Sequence, residues 1–115
     1  MDLASVRIFV TDIAEAARFY ETVVGLTATV RSDDVIVYGK QPMIVIERVA
    51  PEDDDEKLLG RFTGIGFAVA DAQALFQELT AKGIETAGPP EKQSWGGILL
   101  HAKDPSGNTI TFVQS

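Results

Sequence analysis

Two stretches of seven residues decide the fold of this chain: residues 6–12 read VRIFVTD, and residues 65–71 read IGFAVAD. In both stretches apolar residues occupy alternate positions, which is the period of a half-buried β-strand. Each stretch ends in an aspartate, Asp12 or Asp71, whose carboxylate can accept the free N–H groups of a first helical turn. Each stretch therefore predicts a strand that leads directly into a helix.

The repeat extends beyond these two stretches. Apolar residues at helical spacing follow both aspartates, and Gly25 and Gly83 stand where a helix ends in a left-handed residue. The aspartates are 59 residues apart and the glycines 58, so the repeat slips by one residue. After each helix the sequence predicts three further strands, at residues 27–31, 35–38 and 43–47, and at residues 84–87, 98–102 and 109–113.

This pattern predicts an α+β fold of two tandem βαβββ modules, with the helices packed on one face of the sheet. The 115 residues fit a single domain, 1–115, and a chain of this length buries enough surface to fold without disulfides or metal. We expect module 1 at residues 1–50 and module 2 at residues 61–115. The acidic segment 51–60, with five consecutive acids at residues 52–56, is the expected linker.

Composition excludes several classes of function. The chain has no cysteine, so a disulfide framework and a thiolate nucleophile are excluded. Its net charge of −7 argues against nucleic acid and against anionic membrane surfaces as partners. The first residues lack the features of a signal peptide, and no apolar run approaches the roughly 20 residues of a membrane span. We therefore expect a cytoplasmic protein.

Alternation along the strands assigns side chains to two faces. One face is large and apolar and should contact the helices, whereas the other is smaller and more polar. The second face comprises Ser5, Arg7, Phe9, Val45, Glu47, Gly64, Gly66, Ala68, Thr109 and Thr111. Gly64 and Gly66 favour the wall of a cleft over an ordinary solvent-facing surface, because small residues leave room for close approach.

Several segments together resemble the vicinal-oxygen-chelate superfamily, whose members include glyoxalase I, extradiol dioxygenases and the bleomycin-resistance proteins. The segments are residues 6–12, Phe19-Tyr20, Gly25-Leu26, residues 65–71, Ser94-Trp95-Gly96-Gly97 and the turn Asp104-Pro105-Ser106-Gly107-Asn108. The resemblance covers nearly the whole chain. It implies that the two tandem βαβββ modules form an open, U-shaped sheet around a cleft, with the helices on the outer face. The cleft is commonly completed by a second chain, so a homodimer is expected.

Enzymes of this superfamily hold a divalent metal through residues on the first and last strands of each module. The resemblance places these positions at Ser5, Glu47, Gly64 and Thr111, and only Glu47 is a suitable ligand. We therefore expect no metal site and no other cofactor. His101, the only histidine, lies off these positions. It and Glu47 are the only candidates for a catalytic group, and the sequence names no partner for His101.

The candidate ligand-binding residues are Arg7, Phe9, Tyr38, Glu47, Gly64, Gly66, Trp95 and Thr111. Within a cleft Glu47 could bind a cation or accept a proton, or it could form a salt bridge with Arg7. Trp95 could stack on a planar ligand or a cation, or it could close the core or an interface.

These observations favour a metal-free protein that sequesters a small aromatic or cationic ligand in a dimeric cleft, in the manner of the bleomycin-resistance proteins. One alternative is a metal-dependent lyase, isomerase or dioxygenase whose shifted metal site uses Glu47 and His101. A second alternative is a protein-interaction module with a vestigial cleft.

Overall fold

The computed structural model of the protein describes residues 1–50 and 56–115. Half of the predicted linker, residues 51–55, lies outside the described residues. The chain divides into two compact units, Met1–Arg61 with Pro105–Gly107, and Phe62–Asp104 with Asn108–Ser115. The elements of the first unit are β1 (Ser5–Val10), α1 (Ile13–Arg18), a π-helical turn (Phe19–Val23), β2 (Ala28–Arg31), β3 (Val35–Tyr38), β4 (Met43–Arg48) and a 3₁₀ turn (Glu56–Leu58). Those of the second are β5 (Phe62–Ala68), α2 (Ala72–Ala81), β6 (Glu91–Lys92), β7 (Ile98–Lys103) and β8 (Thr109–Gln114).

Each unit contains one four-stranded sheet of the same topology. The strand order is β1-β4-β3-β2 in the first unit and β5-β8-β7-β6 in the second. In both sheets the first and last strands of the module pair in parallel, and the other pairs are antiparallel. The α+β fold with two tandem βαβββ modules and open sheets is therefore confirmed.

The two helices begin where the aspartates predict. Asp12 Oδ1 accepts a hydrogen bond from the Glu15 N–H at 3.0 Å, and Asp71 Oδ1 accepts one from the Ala74 N–H at 3.0 Å. These bonds satisfy donors that the first turn of a helix cannot pair internally. Gly25 and Gly83 follow the helices with φ of +87° and +73°, as the left-handed cap position requires.

A π-helical turn explains the one-residue slip of the repeat. Helix α1 ends at Arg18, and the Val24 N–H then donates to the Phe19 carbonyl, five residues back, at 3.2 Å. A π-turn accommodates one extra residue inside a helix. The first module has one residue more than the second between its aspartate and its glycine. The turn absorbs this residue while Phe19 and Tyr20 stay buried.

Each sheet packs one apolar face into a core. In the first unit the buried side chains come from β1, β3, β4 with the residue after it, α1 and the π-helical turn: Ile8, Val10, Ala16, Phe19, Tyr20, Ile36, Tyr38, Ile46 and Val49. In the second unit they are Ala72, Leu79, Leu100, Ala102, Ile110 and Phe112. These sets contain the strand residues with the strongest alternation, so the helix-facing side of each sheet was predictable from its period.

One strand differs from the prediction. Residues 84–87 form only an isolated bridge, Thr86 to Ala102, and the fourth strand of the second sheet is Glu91–Lys92, which lies outside the predicted strands. Both pieces run antiparallel to β7, and beside the bridge the Lys103 N–H donates to the Glu85 carbonyl at 2.9 Å. Pro89 and Pro90 stand between them and lack the N–H that a ladder needs. The edge strand is therefore interrupted at the prolines.

Within residues 1–50 and 56–115, no helix has the length and apolar character needed to cross a membrane.

Candidate functional site

The face of the first sheet that is turned away from its core carries an ion pair beside a row of valines. Strand pairing aligns Arg7 with Val45, Val45 with Val37, and Val37 with Val30. The next row aligns Phe9, Glu47 and Val35. Side chains at paired positions lie on the same face of a sheet. We call this surface the first-unit face, defined by Arg7, Phe9, Val30, Val35, Val37, Val45 and Glu47.

Arg7 and Glu47 form a bidentate salt bridge on this face. The Arg7 Nε donates to Glu47 Oε1 at 2.7 Å, and Arg7 Nη2 donates to Oε2 at 2.9 Å. The Arg7 guanidinium carbon also lies 5.1 Å from the centre of the Phe9 ring, a cation–π distance. The hydrogen bonds from Arg7 hold the pKa of Glu47 below its ordinary value and raise that of Arg7. Both charges are therefore present near neutral pH, and they neutralise each other.

The corresponding face of the second sheet is apolar around a His–Thr pair. Pairing aligns Gly66, Thr111 and His101 in one row, and Ala68, Val113 and Leu99 in the next. His101 Nδ1 and Thr111 Oγ1 are 2.8 Å apart. The Phe62 ring, 66% exposed, packs against the imidazole edge-on with centroids 5.7 Å apart. We call this surface the second-unit face, defined by Phe62, Gly66, Ala68, Leu99, His101, Thr111 and Val113.

The two glycines within β5 occupy their positions for different structural reasons. Gly64 has a φ of +73° and lies in a bulge, where Phe62 pairs with Thr109 but Gly66 already pairs with Thr111. Its backbone conformation therefore favours glycine independently of any ligand. Gly66 has no positive φ, and a Cβ there would lie 3.1 Å from Val113 Cγ2. Gly66 therefore presents no side chain beside Thr111, but Val113 already crowds the place that a side chain would take.

Trp95 is held in an exposed position by a tight loop. The Gln93 N–H donates to the Gly97 carbonyl at 2.7 Å, and the Gly96 N–H donates to the Gln93 carbonyl at 2.9 Å. The indole lies directly over Gly97, since a Cβ on that glycine would fall 1.9 Å from the ring. Trp95 remains 64% exposed, and Gly97 is buried beneath it. One face of the indole is therefore packed and the remainder is accessible.

Tyr38 is not brought to the first-unit face. It follows Val37 in β3, so its side chain points to the opposite side of the sheet. It is 1% exposed, and its hydroxyl donates to Glu21 Oε2 at 2.9 Å. Burial and the Glu21 carboxylate raise the pKa of Tyr38, so the phenol stays protonated. Tyr38 belongs to the core of the first unit.

An open cavity of about 640 Å³ in the first unit lies apart from the predicted residues. It lies between the start of α1 and the β2–β3 turn, and its lining includes Thr11, Asp12, Arg31, Asp33 and Arg48. Two positive and two negative side chains line it, so its charge is balanced. The cavity carries none of the residues that the sequence assigns to ligand binding.

The residues present do not fit a divalent metal. Arg7 and Gly66 both lie five residues before a helix-capping aspartate, and they pair with Val45 and Thr111 respectively. The position in the first module that corresponds to Thr111 is therefore Val45 rather than Glu47. Val45, Ser5, Gly64 and Thr111 offer neither carboxylate nor imidazole. In the described part of the chain no three histidine or acidic residues come together as a metal site would require.

Sequence reasoning missed two parts of the second-unit face. Phe62 was overlooked because the bulge lets β5 begin three residues before the alternating stretch. The His101–Thr111 contact was overlooked although a signal existed. The five-residue turn from Asp104 to Asn108 places Lys103 opposite Thr109, and counting two residues outward on each strand brings His101 opposite Thr111.

Comparison with known proteins agrees with this architecture. A family model, the Glyoxalase/Bleomycin resistance protein/Dioxygenase superfamily, matches residues 2–112. A solved member of that superfamily from Sphaerobacter thermophilus is 25% identical, with a TM-score of 0.78 over 100% of this chain and 98% of that one. No curated protein matches the chain significantly.

Two further solved structures share the fold. A glyoxalase-related enzyme from Fulvimarina pelagi is 19% identical with a TM-score of 0.79, covering 100% of this chain and 88% of that one. A lactoylglutathione lyase from Agrobacterium tumefaciens is 16% identical with a TM-score of 0.73, covering 97% and 92%. Since the family model spans nearly the entire sequence, the chain belongs to the glyoxalase/bleomycin resistance protein/dioxygenase superfamily.

Proposed function

We propose that this protein binds small, planar aromatic molecules and does so without a metal. The observation that carries the proposal is the exposed indole of Trp95, fixed over Gly97 by the loop that precedes β7. Aromatic rings supply a large contact area and favour stacking on other planar groups. An indole whose position is set before the ligand arrives also loses little conformational freedom on binding.

The state of Glu47 favours an aromatic ligand over a cationic one. A cation would have to compete with Arg7 for both carboxylate oxygens of Glu47. The lowered pKa of Glu47 also makes it a weak proton acceptor near neutral pH, which argues against its use as a general base. Binding without chemistry at Glu47 is therefore the function that the first-unit face supports best.

We further propose that the protein is a homodimer, as the superfamily resemblance implies. Sedimentation equilibrium at micromolar concentration tests this directly. A mass of twice the chain mass of 12.4 kDa is expected. A mass equal to that of one chain over the whole concentration range would remove the dimer from the proposal.

The intrinsic fluorescence of Trp95 tests the binding proposal, because it is the only tryptophan in the chain. Benzoate, benzyl alcohol and benzylamine serve as aromatic probes, and their cyclohexyl counterparts serve as non-aromatic controls. We expect saturable changes in emission with the aromatic probes and none with the controls. The charge of the best probe also separates the aromatic from the cationic alternative.

Trp95→Ala should weaken binding of the best aromatic probe by roughly tenfold in calorimetric titrations, the size expected for one lost stacking contact. Leu3→Ala is the control, because Leu3 is apolar and about as exposed as Trp95 but belongs to neither the first-unit face nor the second-unit face. If Trp95→Ala binds the probe as the unmodified protein does, the indole does not form the site.

A further inference from the structure

The His101–Thr111 pair has a feature that the proposed binding function does not use. Thr111 is 7% exposed, and its hydroxyl lies 2.8 Å from His101 Nδ1. Among the described residues neither side chain makes another hydrogen bond. The pair lies in mid-strand, His101 on β7 and Thr111 on β8, directly opposite each other in the antiparallel register. Two regular strands therefore fix the imidazole in place.

The burial of Thr111 decides the direction of this hydrogen bond. A buried hydroxyl group loses free energy if its hydrogen has no acceptor. His101 Nδ1 is the partner of this hydroxyl among the described residues, so we expect Thr111 to donate and Nδ1 to carry no proton. In a neutral imidazole the proton then lies on Nε2. The pair thus presents His101 as a hydrogen-bond donor through Nε2.

The surroundings of this donor are apolar and partly open. Phe62 packs edge-on against the imidazole, and Leu99 lies two residues before His101 on the same face of β7. Gly66 contributes no side chain beside Thr111. A ligand lying here would meet apolar surface and one directed N–H group. Sites of this composition orient a ligand through the single polar contact.

We propose that His101 is the specificity-determining residue of the protein, donating from Nε2–H to a carbonyl or carboxylate oxygen of a planar aromatic ligand. Thr111 is the positioning residue, since its hydroxyl selects the tautomer in which Nε2 carries the proton. This inference rests on the proposed function and narrows it. The ligand class becomes aromatic carbonyl compounds and aromatic acids rather than aromatic molecules in general.

Nitrogen NMR of the imidazole tests the tautomer without any ligand. His101 is the only histidine, so its two ring nitrogens need no assignment against others. At about pH 8.5 we expect the shift of an unprotonated Nδ1 and a protonated Nε2. Thr111→Val should remove this preference and leave a mixture of tautomers. Thr109→Val, the same change two residues earlier on the same strand, should leave it intact.

A matched pair of probes tests the donor function. Acetophenone and ethylbenzene differ only in a carbonyl that replaces a methylene, and amide NMR titration measures the affinity of each. The measured quantity is the ratio of the affinity for acetophenone to the affinity for ethylbenzene. This ratio should be roughly tenfold lower in His101→Phe than in the unmodified protein. His101→Phe keeps a ring against Phe62 but has no nitrogen. Thr111→Val should reduce the same ratio, and Thr109→Val should not.

The outcomes separate the two proposals. If both probes bind and His101→Phe leaves their affinity ratio unchanged, the donor role of His101 is wrong while aromatic binding stands. If neither probe binds at millimolar concentration, the proposed function fails and the ligand assignment fails with it. If the spectrum shows a protonated Nδ1, Thr111 accepts the hydrogen bond and the positioning role is wrong.

Discussion

Glu21 connects two side chains of the first unit, and each uses a different carboxylate oxygen. Arg31 Nη2 donates to Oε1 at 2.6 Å, and the Tyr38 hydroxyl donates to Oε2 at 2.9 Å. These bonds lower the pKa of Glu21, with Arg31 as the larger cause. Because Tyr38 is buried, its hydroxyl has no water to replace Glu21. The bond should therefore contribute to stability more than an exposed one.

Tyr38→Phe should lower the free energy of unfolding by about 1 kcal/mol at neutral pH, the usual value of one hydrogen bond. Burial raises the pKa of Tyr38 above its ordinary value of 10.0. A group whose pKa is higher in the folded than in the unfolded protein stabilises the fold at pH values below its unfolded-state pKa. This contribution is lost as the pH rises above that pKa. The difference between the two proteins in urea unfolding should therefore shrink above about pH 10. A difference of zero at neutral pH would mean that the bond is not formed in solution.

The Arg7–Glu47 pair should show the opposite pH dependence. The pKa of Glu47 lies below its ordinary value of 4.5 because of the hydrogen bonds from Arg7. A group whose pKa is lower in the folded than in the unfolded protein stabilises the fold at pH values above its unfolded-state pKa. This contribution is lost as the pH falls through the folded-state pKa. Glu47→Gln should therefore be slightly less stable than the unmodified protein at pH 7. The two should converge below about pH 4 in thermal unfolding. The effect is small because the Arg7 side chain is largely exposed to solvent, and a stability difference that widens in acid would contradict the assignment.

At the scale of an element, the loop before β7 needs a glycine at position 97 because of the space it leaves, not because of its backbone conformation. Gly97 has no positive φ, but any side chain there would collide with the Trp95 ring at 1.9 Å. Gly97→Ala should therefore displace the indole without unfolding the sheet. We expect an altered Trp95 emission maximum and a loss of affinity for aromatic probes similar to that of Trp95→Ala. Ser94→Ala, in the same loop, is the control. Unchanged emission in Gly97→Ala would mean that the indole does not lie on the glycine in solution.

Secondary-structure elements were predictable from the sequence where apolar residues keep one spacing over several positions. They were not predictable where a single residue breaks that spacing. The strands of the repeat and both aspartate caps follow from alternation and from capping chemistry. The one-residue slip was visible in the sequence, but an extra residue can be absorbed at several points of a helix. Only the structure shows it at Phe19–Val23. The Gly64 bulge is a similar local irregularity.

At the scale of the molecule, the candidate site depends on which strands pair and in which register. Sequence alternation placed Arg7 and Glu47 on one face and Thr111 on the equivalent face of the other module, but it cannot show which side chains touch. The register supplies this information, since it brings His101 opposite Thr111 and moves the counterpart of Thr111 from Glu47 to Val45. Tyr38 was assigned to ligand binding by position alone, whereas its alternation with Val37 turns it into the core.

The register also leads to a prediction for the whole protein about metal ions. None of the four corresponding strand positions offers a carboxylate or an imidazole, and both oxygens of Glu47 are held by Arg7. We expect elemental analysis to find much less than one ion per chain after incubation with Mn, Fe, Co, Ni or Zn ions and dialysis. Dialysis matters because the acidic run at residues 52–56 can attract cations weakly through charge alone.

Variants decide what any retained ion would mean. Near-stoichiometric metal that is lost in both Glu47→Gln and His101→Phe would show a shifted site built from these two side chains. That result would replace the binding proposal with the metal-dependent lyase, isomerase or dioxygenase alternative. Metal retained equally by both variants would also contradict metal-free binding, but it would place the ion elsewhere. Because Arg7 must release Glu47 before that carboxylate can bind a cation, Arg7→Ala should increase any uptake that uses Glu47. If Arg7→Ala takes up no more metal than the unmodified protein, the salt bridge is not what keeps Glu47 from binding metal.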